Sequence, residues 1–183
     1  MLREPGETTV KGTLVMGDAP SAVAIGVPAP GTKDALFAPF LVLAARLIEK
    51  GGEGGWQASY EPIARPELLL ITGSVGTERG EPAAERMRRE AEAVVGRELS
   101  AEDVAKTKER FALLLDPELL DPGLCAKDPR AFGVARARRA QMEIDGTALA
   151  QAVEGVTKDQ LAEAGKAFGA KQSAAIIAGG KIE

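Results

Sequence analysis

Between Ala22 and Val75 the chain sets short apolar runs around one long one. Residues 22–27 (AVAIGV) are small and continuously apolar, the pattern of a strand covered on at least one face. Pro28-Ala29-Pro30-Gly31 ends it, because proline cannot donate to a sheet ladder. Leu36, Phe37, Phe40, Leu43, Ala44, Leu47 and Ile48 then recur at spacings of three and four, which predicts one apolar helical face. Thr32 is the expected N-cap, with Asp34 near the positive end of the helix dipole. Pro39 fits only if the regular helix begins near Leu36, where its missing N–H falls inside the first turn. Gly51-Gly52 is the expected stop. Trp56–Tyr60 alternates as a strand, and residues 67–75 (ELLLITGSV) form the strongest strand candidate. Joined by the proline-containing segment 62–66, the two predict an antiparallel pair.

The flanking segments supply further elements. Residues 10–16 (VKGTLVM) alternate weakly and read as an edge strand, weakened by Gly12. Glu81-Pro82 opens a helix to about Val95, with Ala84, Met87, Ala91, Val94 and Val95 inward and Arg86, Arg88, Arg89, Glu90 and Glu92 outward. Ser100 is an N-cap ahead of Glu102 and Asp103, and Val104, Lys108, Phe111 and Leu115 continue that stripe. Residues 116–128 contain Asp-Pro steps and read as an irregular connection. A helix from Pro129 stops near Asp145-Gly146, and 147–153 reads as a short helix. Thr157 and Gln160 form a capping box for a helix that carries Leu161, Ala164 and Phe168 inward and ends at Gly169. Residues 173–178 (SAAIIA) close the chain's apolar pattern as a strand. Strands, helix, strand pair, helices and strand in that order predict an α+β class rather than repeating βαβ units. The expected architecture is a mainly antiparallel sheet of about five strands with helices packed on one face. Residues 1–9 read as a linker and 10–183 as a single domain.

Composition then narrows the chemistry. The chain of 183 residues contains no histidine. Proton-relay triads and most catalytic zinc sites use an imidazole, so neither is expected here. A single cysteine, Cys125, cannot form an internal disulfide; it lacks a local base and reads as a small buried hydrophobe. A formal net charge of −4 argues against a nucleic-acid or anionic-membrane binder, which needs a basic face. Residues 1–12 lack the apolar stretch of a secretory signal, and no apolar run approaches the roughly 20 residues needed to span a bilayer. The longest run, Leu36–Ile48, is interrupted by Pro39 and Arg46. A soluble chain is expected, with its compartment open.

Three stretches invite functional readings. Gly73–Gly80 is glycine-rich but lacks the lysine of a phosphate loop, and reads as a strand-to-helix loop. Arg86, Arg88 and Arg89 are interspersed with Glu85, Glu90 and Glu92, the pattern of a solvated helical face. Arg130, Arg136, Arg138 and Arg139 are less balanced, so Arg130, Arg136 and Arg139 are the candidates for partner contact against a default of solvation.

The order of these pieces resembles the C-terminal, non-zinc domain of the insulinase/pitrilysin-type zinc metallopeptidases, which include the mitochondrial processing peptidase subunits. The likeness rests on the apolar strand and proline turn at Val23–Pro30 and on the strand pair at Trp56–Tyr60 and Leu68–Ser74. Residues 99–106 (LSAEDVAK) look like the family's acidic helix start, and residues 153–160 (VEGVTKDQ) are similar to its Val-Thr-x-Glu-Asp segment. The final apolar strand ends in Gly, as the family's does. The inverted zinc motif, His-x-x-Glu-His, belongs to the other half of that fold and is absent here. The family's usual Leu-Arg-Glu segment near the glycine-rich loop is also missing.

The resemblance implies a non-catalytic half or subunit that closes a chamber against a zinc-bearing half and helps hold peptide substrate. Trp56 and Tyr60 are the candidates for that contact. No catalytic residue, metal ligand or cofactor is expected in this chain, and zinc is expected in the partner half or an upstream domain. The expected partners are that half, in the same or a separate chain, or further copies of this one. A stand-alone assembly or ligand-binding domain is the alternative. An exposed apolar face would separate the two readings.

Overall fold

The computed structural model describes residues 13–15, 21–51, 55–62, 68–76, 80–115, 129–142, 145–170 and 173–178. The expected linker 1–9, the Asp-Pro segment 116–128 with Cys125, and the connection 63–67 lie outside the described residues. The strands are β1 (Thr13–Val15), β2 (Ser21–Pro28), β3 (Trp56–Ser59), β4 (Leu68–Gly76) and β5 (Ser173–Ala178). The helices are α1 (Phe37–Gly51), α2 (Gly80–Val95), α3 (Ala101–Arg110), α4 (Ala112–Leu115), α5 (Pro129–Met142), α6 (Gly146–Glu154) and α7 (Lys158–Ala170). The class is α+β.

One sheet runs in the order β1-β5-β2-β4-β3. β2 pairs antiparallel with β4 and β5, and β3 with β4; β1 lies parallel to β5 at one edge. The pleat separates the side chains sharply. Val23, Ile25 and Val27 of β2, Leu69 and Ile71 of β4, and Trp56 and Ala58 of β3 all point into the core. Trp56 stands opposite Gly73, where an added Cβ would come within 3.0 Å of Met87 Sδ and 3.3 Å of Trp56 Cβ. Glycine makes the space into which the indole and the α2 methionine pack.

α1 lies against β3, while α2 lies beneath β2 and β5. The spacing of α1 predicts one apolar face, but Leu41, Val42, Leu43, Ala44 and Leu47 are all buried. The reason is a second helical layer: α3, α6 and α7 cover the side of α1 turned away from the sheet. α1 is therefore the axis of the core. Its start also differs from expectation. Thr32 sits in a buried turn, and Asp34 supplies the local cap, its Oδ1 accepting from Leu36 N–H at 2.8 Å. The first helical bond runs from Phe40 N–H to Leu36 C=O, so Pro39 stands where no donor is needed.

Caps set the remaining boundaries. Ser100 accepts from Asp103 N–H, and Asp103 returns a bond to Ser100 N–H at 2.8 Å. Asp145 Oδ1 accepts from Thr147 N–H and starts α6. Thr157 and Gln160 exchange the two bonds of a capping box before α7. Leu161, Ala164 and Phe168 of α7 are buried, as their spacing predicts.

Candidate functional site

Opposite the buried positions of β2, β3 and β4, the alternate positions Gln57, Ser59, Leu68, Leu70 and Thr72 are exposed. In register across this face lie Gln57 beside Thr72, Ser59 beside Leu70, and then Ala24 and Gly26 of β2. Leu68 is 50% and Leu70 39% exposed, although both belong to the strand whose Leu69 and Ile71 are fully buried. An added Cβ at Gly26 would meet Leu68 Cδ1 at 3.5 Å and Leu70 Cδ2 at 3.9 Å, so both leucines lie over that glycine. The face thus has an apolar centre edged by Gln57, Ser59 and Thr72. Alternation in residues 68–72 carries the signal for this face, but a run of leucines reads more readily as core.

β3 closes this face at one edge of the sheet, and its anchoring is specific. Trp56 is 2% exposed, and its Nε1–H donates to Glu90 Oε2 of α2 at 2.9 Å. An added Cβ at Gly51 would lie 2.9 Å from both Cε3 and Cζ3 of the same ring. Tyr60, 7% exposed, stands edge-on to Phe40 with ring centroids 5.4 Å apart. The structure therefore places Trp56 at the start of β3 and Tyr60 just after its end, both with their rings in the core. Glu90, which sequence reasoning places among outward charges, is the residue that ties that strand to α2.

The arginines fall into two groups. On α2, Arg86 pairs with Glu90 at 3.3 Å, and Arg88 and Arg89 pair with Glu85 at 3.2 and 3.7 Å. That is the solvated face the spacing predicts. Arg130 and Arg136 are exposed on α5, while the Arg139 side chain lies outside the description. Gly73–Gly76 belongs to β4 and Gly80 begins α2; 77–79 lie outside the described residues. Among the described residues no group of His, Cys, Asp or Glu is placed to hold a metal ion. No helix among them is long and apolar enough to cross a membrane.

No protein-family model matches the chain, and no curated protein matches it by sequence. Solved structures do match. The chain superposes over its whole length on the M16 peptidase inactive domain from Pseudomonas fluorescens, with a TM-score of 0.66 and 9% identity. The fold is that of an M16 peptidase half. Over 90% of its length the chain is also similar to the inactive peptidase domain of a zinc protease from Bordetella parapertussis, at a TM-score of 0.61 and 13% identity, and there it covers 94% of the matched chain. A protease from Helicobacter pylori gives a TM-score of 0.61 and 14% identity over 91% of this chain. The chain spans 44% of the Helicobacter protein and 46% of the Pseudomonas one, so in fold it matches about half of each. At these identities the likeness is one of fold, and the resemblance read in the sequence holds at that level.

Proposed function

We propose that this chain is the non-catalytic half of an insulinase-like zinc peptidase. It would close a chamber against a zinc-bearing half, in the same or a separate chain, and help hold an extended peptide. The carrying observation is the one-sided sheet: a face with Leu68 and Leu70 exposed is a surface awaiting a cover. The absence of histidine from the chain supports the assignment of zinc to the other half, as does the fact that two of the fold neighbours are inactive peptidase domains. Peptide would lie along the edge of β3, whose backbone is free on its outer side among the described residues. With their rings in the core, Trp56 and Tyr60 would serve that contact by fixing the strand.

Two measurements on the purified chain test this reading. Incubated with zinc and an unstructured protein substrate, the chain should neither retain stoichiometric metal after dialysis nor cleave. Unaided cleavage would overturn it. Mixed with a cognate zinc-bearing half, it should associate, and Leu68→Glu with Leu70→Glu should abolish association while leaving the melting temperature in place. The alternative, a stand-alone assembly or ligand-binding domain, draws on the same bare face, since a further copy of this chain would cover it equally. Sedimentation of the chain alone separates the two.

A further inference from the structure

α5 is unlike the other long helices among the described residues. Its 14 residues, PRAFGVARARRAQM, include four arginines and no carboxylate. At 100° per residue the four arginine positions are spread round the axis, and the apolar positions form no single amphipathic stripe. A helix whose arginines interrupt every face draws stability from ion pairs along its length or from a partner surface. The first source is available elsewhere and not here. On α2 all three arginines pair with the helix's own glutamates; Lys106 of α3 pairs with Glu102 and Glu49, and Lys108 with Glu154. Neither Arg130 nor Arg136 pairs with a carboxylate among the described residues.

The described side chains of α5 also define a continuous surface. Arg130, Gly133, Val134, Arg136, Ala137 and Ala140 are all exposed. By helical geometry they occupy one arc of roughly 160°. Gly133, Ala137 and Ala140 lie between Arg136 and Arg130 on that arc, Val134, 45% exposed, lies just beyond Arg130, and an added Cβ at Gly133 would meet nothing within 4 Å. A low apolar strip flanked by two arginines has the composition of an interface centre, where arginine is enriched and lysine depleted.

The charge of the rest of the chain decides the class of partner. The whole carries −4 and α5 carries +4, so the remainder is at −8. A nucleic acid or an anionic membrane presents negative charge over an area wider than one helix, and that body would repel it. A protein surface with a local acidic patch meets α5 alone. We propose that α5 is a docking surface for an acidic, partly apolar face of another protein, held by Arg130 and Arg136 on either side of the Gly133, Ala137 and Ala140 strip, with Val134 beside Arg130. This inference does not rest on the peptidase-half reading.

The test uses the full chain and three probes: a labelled helical peptide with a leucine stripe edged by glutamates, a DNA duplex, and vesicles of phosphatidylcholine with phosphatidylserine. The peptide should bind at low salt, and more tightly than either polyanion. Arg130→Glu with Arg136→Glu should weaken it by about tenfold or more, consistent with the loss and reversal of two interfacial charges. Reversing two paired cations instead, Arg89→Glu with Lys158→Glu, makes the same change in net charge and should move it far less. The proposal is overturned if the peptide does not bind, if both double variants weaken it equally, or if duplex or vesicle binds as tightly as the peptide. All variants are at exposed positions, and circular dichroism verifies that each is folded.

Discussion

Arg46 and Asp103 face each other across the two helical layers with both prongs engaged: Nε to Oδ1 and Nη2 to Oδ2, each at 2.8 Å. The same guanidinium donates from Nη1 to the carbonyl of Arg97 and from Nη2 to that of Glu98, at 2.9 and 2.8 Å. One side chain of the core helix α1 thereby holds the α2–α3 turn and the N-terminus of α3. Arg46 is 5% exposed, so the geometry must offset a substantial desolvation cost. Arg46→Ala leaves Asp103 and two carbonyls without their partner and should cost about 3 kcal/mol or more in urea unfolding. Arg46→Lys keeps the charge but loses the fork, and should recover only part of that loss.

Acid should act through the same pair. Burial pushes the Asp103 carboxyl upward, but hydrogen bonds from Arg46 and Ser100 outweigh it and lower its pKa from 3.8 to about 2. A folded-state value below the unfolded one contributes stability that is present above the unfolded value and lost as pH falls through the folded one. The contribution, about 2 kcal/mol, should disappear between about pH 4 and 2. Melting curves of wild type and Asp103→Asn should therefore be well apart at pH 5 and converge towards pH 2. Parallel profiles would show that the pair is not what acid breaks.

Gly51 is the test of the Trp56 socket. A methyl there would meet the indole ring and the Trp56 carbonyl oxygen, all at 2.9 Å. Because one contact is backbone, relief requires β3 to move, and Gly51→Ala should destabilise by about 1–3 kcal/mol. Trp56 is the sole tryptophan, so its emission should shift to the red in this variant as the ring gains solvent. Unchanged emission would mean that α1 yields and β3 does not.

The pleat of β4 makes a paired prediction. Leu69→Ala should cost about 2–5 kcal/mol, the range for a buried leucine. Leu70→Ala, one residue on and turned to the bare face, should change stability by about 0.5 kcal/mol or less in the isolated chain. Equal costs would place the strand out of this register.

The elements legible in the sequence are those whose signals are local. The capping box at Thr157 and Gln160, the Ser100 cap, and the inward set Leu161, Ala164 and Phe168 need only spacing to be read. The start of α1 was less legible, because Thr32 and Asp34 are both good caps and only tertiary contact places Thr32 in a buried turn. Arg46 reads as an interruption of an apolar run, when it is the most heavily bonded side chain of α1; its partner lies 57 residues on. The second helical layer, which buries α1 on both sides, is likewise a long-range fact. So is the exposure of Leu68 and Leu70, since alternation shows that two faces differ but not which one is covered.

The position of β5 sets the order in which the sheet can be finished. Residues 173–177 pair with Gly26 to Ala22, and residues 176–178 with β1. While the chain is being synthesised, β2 has β4 on one flank and nothing on the other until Ser173 has been made. Through that interval its open edge is a template for strands of neighbouring nascent chains. Of the described strands β5 is the last made and the keystone of this sheet, and chains interrupted before it should be clients of chaperones and proteases more often than chains that carry it.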